Sequence, residues 1–319
     1  MPFLHIIVLG YGRFDETSKP CLESLLPQVN GERVTIFDNG SPDDSAIKQT
    51  EFAKQHPQLT SLLNPENLGF AGGMNAAVAS FQEEVEWLML VGNDTIFHQQ
   101  ALETMQLAMR TAPSHIGILG PMTNSAGNAQ GLSILGNNSE EVFIKWKQVP
   151  HIEQAIIRPL YRADFFCVAI RKSVWDLLGG LDLSYGRGYY EDFDFSMRAS
   201  QKGIDGGMIE NALIYHQGSA SFKSDSSQAA LIKNNKKIFV GRFPNAQLRH
   251  RRLDHYKTLQ HVLSTQIKDE DQGVSIQMVR WRIESLLADL PKSPLKRMLW
   301  RFRIKRITEQ LSAKFLIDF

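Results

Sequence analysis

With 319 residues the chain can fold as one large domain or as two of ordinary size. Its 43% hydrophobic and 22% charged content is that of a globular chain, and a formal net charge of +1 excludes a molecule that binds polyanions with its whole surface. The two cysteines, Cys21 and Cys167, lie far apart without paired-ligand spacing, which excludes a disulfide framework and a zinc ribbon and suits a reducing compartment.

The opening "MPFLHIIVLGYGR" has no basic start and no small-residue cleavage site, so it reads as a first buried strand. Nowhere do ~18 apolar residues run unbroken, so no helical membrane span is expected. Apolar runs at 5–10, 33–38, 59–63, 86–91 and 116–121 each predict a buried strand. Helix-like segments near 17–28, 43–55, 70–84 and 98–111 alternate with them, which predicts parallel pairing in a doubly wound α/β sheet. Residues 126–160 are irregular and long enough for a flap or extra strands. "YRADFFCVAI" (161–170) then reads as a strand, "RKSVWDLLGG" as a short helix closed by glycine, 191–202 as a helix, and 211–216 as a short strand ending at His216. Beyond about 225 the segments become helical and strongly basic, so the chain divides into 1–225 and 226–319.

In open α/β sheets ligands sit beyond the carboxyl ends of the strands. The segments there are rich in Gly, Asn and Asp: "GYGR" (10–13), "DNGSPDDS" (38–45), "NPENLGFAGGMN" (64–75) and "GNDT" (92–95). Asp38 can project into such a crevice, though Ser41 and Asp43 also suit a turn and a helix cap. Gly69, Gly72 and Gly73 permit close backbone approach at a helix start, but the G-x-x-G-G spacing after the third strand is no dinucleotide fingerprint. Asp94 is delivered by four apolar residues to a strand end, where a carboxylate can hold a divalent cation or cap the next helix. "GYYEDFDFSMR" (188–198) sets Glu191, Asp192 and Asp194 among aromatics; an Asp194–Arg198 i, i+4 pair accounts for one acid as ordinary surface chemistry. His216 closes an apolar run, and with Asp94 it can share a metal.

Taken in order, "DNGSPDDS", "NLGFAGGMNAAV", "GNDT", "VAIRKSVWDLLGGLD", "YYEDFDFSMRASQKG" and "YHQGS" resemble the inverting family 2 glycosyltransferases, especially rhamnosyltransferase-like and O-antigen-type members, over roughly 4–222. The resemblance implies a GT-A (Rossmann-like) mixed, mainly parallel sheet flanked by helices, with a helical C-terminal extension. It implies transfer of a hexosyl or deoxyhexosyl unit from a nucleoside-diphosphate sugar, dTDP- or UDP-linked, to a hydroxyl of a saccharide or lipid-linked acceptor in surface polysaccharide synthesis. By it, Asp38 holds the base or ribose with help from Tyr11 and Arg13, while Asn67, Gly69, Asn75 and Asn93 line the donor pocket. Asp94 and His216 carry Mg2+ or Mn2+, Asp192 is the general base, and Tyr189, Tyr190 and Glu191 border the acceptor.

Two features depart from that family's pattern. Gly92 stands where a DxD motif has its first acid, and "LGYGRFDETSKP" faintly resembles the glycine-rich entry of sugar nucleotidyltransferases, which supplies one alternative. A catalytically inactive glycan-binding or scaffold protein is the other. In the C-terminal part, "KSPLKRMLWRFRIKR" (292–306) has seven Lys or Arg and no acid. Leu295, Met298, Leu299, Phe302, Ile307 and Leu311 form an apolar helical stripe there, for packing on the first domain, for a homo-oligomer, or for peripheral contact with the cytoplasmic face of a membrane. No nucleic-acid partner is expected, and the location expected is cytoplasmic.

Overall fold

The computed structural model describes residues 3–81, 84–218 and 226–319. The boundary expected at 225 and the last residue of "YHQGS" lie outside the described residues. In chain order the elements are β1 (Leu4–Gly10), α1 (Ser18–Leu25), β2 (Arg33–Asn39), α2 (Ser45–Lys54), β3 (Leu59–Asn64), α3 (Gly69–Ala79), β4 (Trp87–Gly92), β5 (Thr95–Phe97) and α4 (Ala101–Thr111). There follow β6 (Ile116–Met122), α5 (Ser139–Trp146), β7 (Ile157–Leu160), β8 (Cys167–Arg171), α6 (Lys172–Leu178), α7 (Glu191–Gln201) and β9 (Asp205–His216). Four helices close the chain: α8 (Ser226–Arg242), α9 (Arg251–Ser264), α10 (Gln272–Ala288) and α11 (Pro294–Phe315).

The sheet order is β3-β2-β1-β4-β8-β6-β9-β5, with β7 also paired to β9. Its first half is parallel, β1 lying between β2 and β4. Alternate β1 side chains feed two cores: Ile7 and Leu9 pack with Ala71 and Met74 of α3, while Leu4, Ile6 and Val8 pack with Cys21 and Leu22 of α1. A strand buried on both faces needs this unbroken apolar run. β3 corrects one expectation, because it is an edge strand rather than a buried one and leaves Leu63 55% exposed. The second half is mixed, with β8 antiparallel to both β4 and β6 and β9 parallel to β6. The strand expected over 161–170 begins only at Cys167, because side chains take over the preceding stretch: Asn128 donates to the Arg162 carbonyl at 2.9 Å and the Asp164 N–H donates to Gln130 at 2.8 Å. Both cysteines are free and buried.

The C-terminal helices attach in two ways. Phe239 of α8 and Phe243 just after it pack on Phe193 and Met197 of α7, while Val274, Met278 and Trp281 of α10 enter the core beside the sheet. Ile304, Ile307, Leu311 and Phe315 of α11 close a separate cluster with α9 and α10, so Ile307 and Leu311 of the expected stripe pack inward. Among the described residues no helix is long and apolar enough to cross a membrane.

One buried charge cluster joins sheet and helices. Glu210, on β9, accepts from Arg158 Nε at 2.9 Å and Arg282 Nη2 at 3.1 Å, while Arg158 reaches Ser275 and Arg282 reaches the Ala129 carbonyl. Burial favours a neutral Glu210, but the two guanidiniums outweigh it and hold its carboxyl below the ordinary range. Removing one member of such a cluster leaves uncompensated buried charge. Glu210→Gln is therefore expected to cost about 3–5 kcal/mol of unfolding free energy, read by urea titration.

Candidate functional site

The strand ends meet at a cavity of about 950 Å³ whose wall runs from Leu9 and Tyr11 to Asp94, His216 and Asp192. β4 ends at Gly92 and hands Asp94 to this wall. The antiparallel ladder of β5 and β9 pairs Thr95 with His216, which sets the imidazole beside Asp94 with Nε2 and Oδ2 3.4 Å apart. The other ring nitrogen, Nδ1, lies 3.0 Å from the Ser125 carbonyl and donates to it, and the ring stacks on Phe166. Burial would lower the His216 pKa, but the hydrogen bond and charge of Asp94 outweigh it, and the net shift is upward.

A carboxylate oxygen and an imidazole nitrogen form a mixed donor set that can hold a divalent cation such as Mn²⁺, and the Nδ1 contact orients the ring as the outer hydrogen bonds of metal ligands do. Among the described residues no third His, Cys, Asp or Glu joins them, so a cation there depends on ligand oxygens as well. Gly92 fits this picture, since a Cβ on it would lie 3.1 Å from Asp94 Oδ1 and 3.4 Å from the Phe166 carbonyl.

The opposite wall is the start of α7. Tyr189 and Tyr190 both have left-handed backbones, φ 71° and 79°, which side chains other than glycine's adopt at a cost. Asn235 of α8, buried, holds that conformation by pointing its amide at the carbonyls of Tyr185, Gly188 and Tyr189 at 2.7, 2.8 and 3.0 Å. Gly69 is required nearby because its φ is +71° and a Cβ would lie 2.9 Å from Arg187 Cα. The Phe70 N–H of α3 donates to the Arg187 carbonyl, so the two loops are joined by main chain.

Behind these turns α7 presents its acids in three different states. Asp194 is fully buried and not on the surface: Arg198 Nε donates to it at 2.5 Å, Tyr185 Oη at 3.0 Å, and Arg242 of α8 lies 3.1 Å away. Arg198 also reaches the Leu178 and Gly180 carbonyls. Glu191 is buried, with Oε2 unpartnered, and burial followed by the charge of Asp192 raises its pKa to about 8. Asp192 keeps 14% of its side chain exposed and lines the cavity. Burial first, and then the Asp164 carboxylate that hydrogen-bonds it, push Asp192 up to about 7 against the opposing pull of Arg162, 3.9 Å away.

Of the residues expected in the site, Tyr11, Asn67, Gly69, Asn93, Asp94, Tyr189, Tyr190, Glu191, Asp192 and His216 all line this one cavity. Arg13, Asp38 and Asn75 do not. Asp38 accepts from the Ser41 N–H at 3.0 Å and from its hydroxyl, and the wall beside it is Asn39. Arg13 pairs with Glu16, and Asn75 clamps both backbone groups of Leu181 at 2.8 and 2.9 Å. Asn93, though on the wall, gives its amide to Thr17 and Ser18 and so anchors α1.

Arg162, Asp164, Lys236 and Arg249 also line the cavity and were not among the expected residues. The acid and cation of "YRADFF" were a visible signal, masked by its strand-like pattern. Lys236 and Asn235 arrive from α8 and Arg249 from the connection between α8 and α9, too distant in sequence to be linked to the site.

Residues 6–157 match the family described as "Glycosyl transferase family 2". Comparison with curated proteins by sequence gives no match. Among solved structures the chain is similar to S. aureus TarS residues 1–349 in complex with UDP-GlcNAc, at 15% identity and TM-score 0.52, covering 99% of this chain and 92% of that one. It is also similar to GalNAc-T7 with UDP, GalNAc and Mn2+, at 10% identity and TM-score 0.56, covering 91% of this chain and 57% of that one. These likenesses, with the mixed sheet and its flanking helices, give the chain a GT-A fold with a helical C-terminal region.

Asp194→Asn leaves Arg198 and Arg242 facing a neutral amide in a buried setting. It is expected to lower unfolding free energy by about 3 kcal/mol, read by thermal and chemical denaturation, because one partner of a buried ion pair is lost.

Proposed function

We propose that this chain is a metal-dependent inverting family 2 glycosyltransferase, moving a sugar from a nucleoside-diphosphate donor to a hydroxyl of a saccharide or lipid-linked acceptor. The observation that carries the reading is the convergence on one cavity of an Asp94–His216 pair and a carboxylate, Asp192, whose proton affinity is raised into the neutral range. The family match over 6–157 supports it, as do the ligands of similarly folded proteins, the nucleotide sugar UDP-GlcNAc in TarS and UDP with GalNAc in GalNAc-T7. Both of those structures hold a uridine nucleotide, in line with a nucleoside-diphosphate sugar as donor here, and GalNAc-T7 carries Mn2+.

In this reading the donor base and ribose lie along the ends of β1 and β2, against Tyr11, Asn39 and Asn67. Asp94 and His216 hold the divalent cation, which when bound neutralises charge on the leaving diphosphate. Tyr189, Tyr190 and Phe193 offer aromatic faces to the acceptor sugar. The acceptor oxygen forms a bond to the anomeric carbon while the bond from that carbon to the diphosphate breaks, its electron pair leaving with the nucleotide. Asp192 takes the hydroxyl proton. One such displacement inverts the centre and needs no second nucleophile.

A base near neutrality is efficient because it is free to accept a proton at working pH and still basic enough to remove one. Arg162 and Asp164 set that balance from opposite sides, the cation favouring the charged form and the acid opposing it. A sugar nucleotidyltransferase gives no role to a raised carboxylate in an aromatic pocket, and an inactive glycan-binding protein gives none to the Asp94–His216 pair.

Transfer is expected from a UDP-sugar panel with Mn²⁺ or Mg²⁺, with the product's anomeric configuration inverted by NMR and activity abolished by EDTA. Asp192→Asn should reduce kcat by roughly 10² to 10⁴-fold. A variant that transfers at the wild-type rate removes Asp192 from the role of base. The pH profile should rise from pH 6 to 8 as Asp192, held at about 7, loses its proton.

Stability supplies an independent check. The folded Asp192 binds its proton more tightly than the unfolded chain does, so its ionisation weakens the fold as pH climbs from about 4 through 7. Asp192→Asn escapes that penalty and should raise Tm at pH 8 while leaving it nearly unchanged at pH 4.

A further inference from the structure

The first part of α11 carries a surface that the catalytic reading leaves unused. Leu295, Met298, Leu299 and Phe302 are 63%, 61%, 51% and 66% exposed, and their i, i+3, i+4, i+7 spacing puts them on one face. The inward face of the same helix is Ile304, Ile307, Leu311 and Phe315, packed with α9 and α10. At about 100° per residue these two stripes point to opposite sides, so the exposed stripe looks away from the body of the protein. Solvent-facing stripes of large apolar side chains mark interaction sites.

Charge identifies the occupant. Lys296 and Arg303 flank the stripe on one side and Arg301 and Lys305 on the other, all exposed, within a run from 292 to 306 that has seven Lys or Arg and no acid. Lys305 has an exposed partner in Glu309 at 3.9 Å, a pair of little energetic weight. A second copy of the chain fits poorly, because a two-fold contact would press this cation-rimmed stripe onto itself. A nucleic acid would satisfy the cations and leave the apolar residues in water. An anionic phospholipid surface satisfies both, taking the apolar stripe below the headgroups and the cations among them.

We propose that α11 docks the protein in the plane of an anionic phospholipid bilayer through Leu295, Met298, Leu299 and Phe302, with the surrounding cations reading the headgroup charge. The contact is peripheral. It is separate from the cavity, whose wall includes no residue of α11.

The test is flotation of the full chain with large unilamellar vesicles of phosphatidylcholine alone or with about 30% phosphatidylglycerol, at low and at physiological salt. Binding to the anionic vesicles alone, weakened by salt, is expected. Leu299→Ser with Phe302→Ser should weaken it about 10-fold or more, since two large apolar groups no longer leave water. Lys296→Glu with Arg303→Glu should reduce it by at least as much. Circular dichroism and Tm should match the parent in both double variants, because the altered side chains are exposed.

Absence of binding to anionic vesicles, or binding that ignores both double variants, overturns the proposal. So does a dimer, seen by light scattering without vesicles, that Leu299→Ser with Phe302→Ser dissociates. Binding of both double variants and parent alike to a random-sequence oligonucleotide but not to vesicles overturns it too.

Discussion

The buried carboxylate of Asp194 is the fixed point on which the candidate site rests. Three groups converge on it from different places: Arg198 one turn along α7, Tyr185 from the preceding loop, and Arg242 from α8. Through Arg198 the same node reaches the carbonyls of Leu178 and Gly180, and so the end of α6. A fully buried anion tolerates little displacement of its partners, because each lost contact exposes the desolvation cost of the charge. The rotation of α7 is thereby set, and with it the faces on which Glu191 and Asp192 emerge. Asn235 completes the arrangement from α8 by holding the two left-handed tyrosines that lead into the helix.

The two acids beside that node sit in tension that their neighbours maintain. Glu191 and Asp192 are adjacent in the chain, Asp164 adds a third carboxylate, and burial disfavours charge on all of this surface. Arg162 moderates the cluster from 3.9 Å. Such a concentration of like charge opposes stability, which places it among the local costs that folds carry where chemistry is done. In the proposed reaction the cost has a use, since an ordinary surface aspartate is too weak a base to take a sugar hydroxyl's proton.

What the sequence disclosed divides along the range of the interactions involved. The β1, β2, β4 and β6 strands are legible as apolar runs, because strands buried on both faces write their burial into consecutive residues. The loops at their ends are legible through Gly, Asn and Asp, which local backbone geometry demands. Direction was not legible: β8 runs antiparallel to β4, and an apolar run carries no mark of its partner. Nor was the side-chain stitching of 161–166 visible, since "YRADFF" has the composition of a strand and becomes irregular only by contacts with 127–130. Asp38 and Asn39 show the limit of one-residue resolution. They are the last two residues of β2, but consecutive residues point to opposite faces, and it is Asn39 that lines the cavity while Asp38 braces Ser41.

The helical region is where local reading is weakest and long-range packing decides most. Its basic character is plain in the sequence, yet which cations face the cavity, which are buried and which face solvent follows only from tertiary structure. Lys236 and Arg249 line the cavity, Arg282 is sealed against Glu210, and the cations of early α11 stay in solvent. The same residue type thus serves the site, the core and the surface within one stretch of chain. In the proposed reaction the sheet ends hold the donor, whose nucleotide and diphosphate are chemically similar across substrates. The acceptor side is built from α7 and from helices that reach in from the C-terminal region, so acceptor choice can change through those helices without disturbing the Asp94–His216 pair.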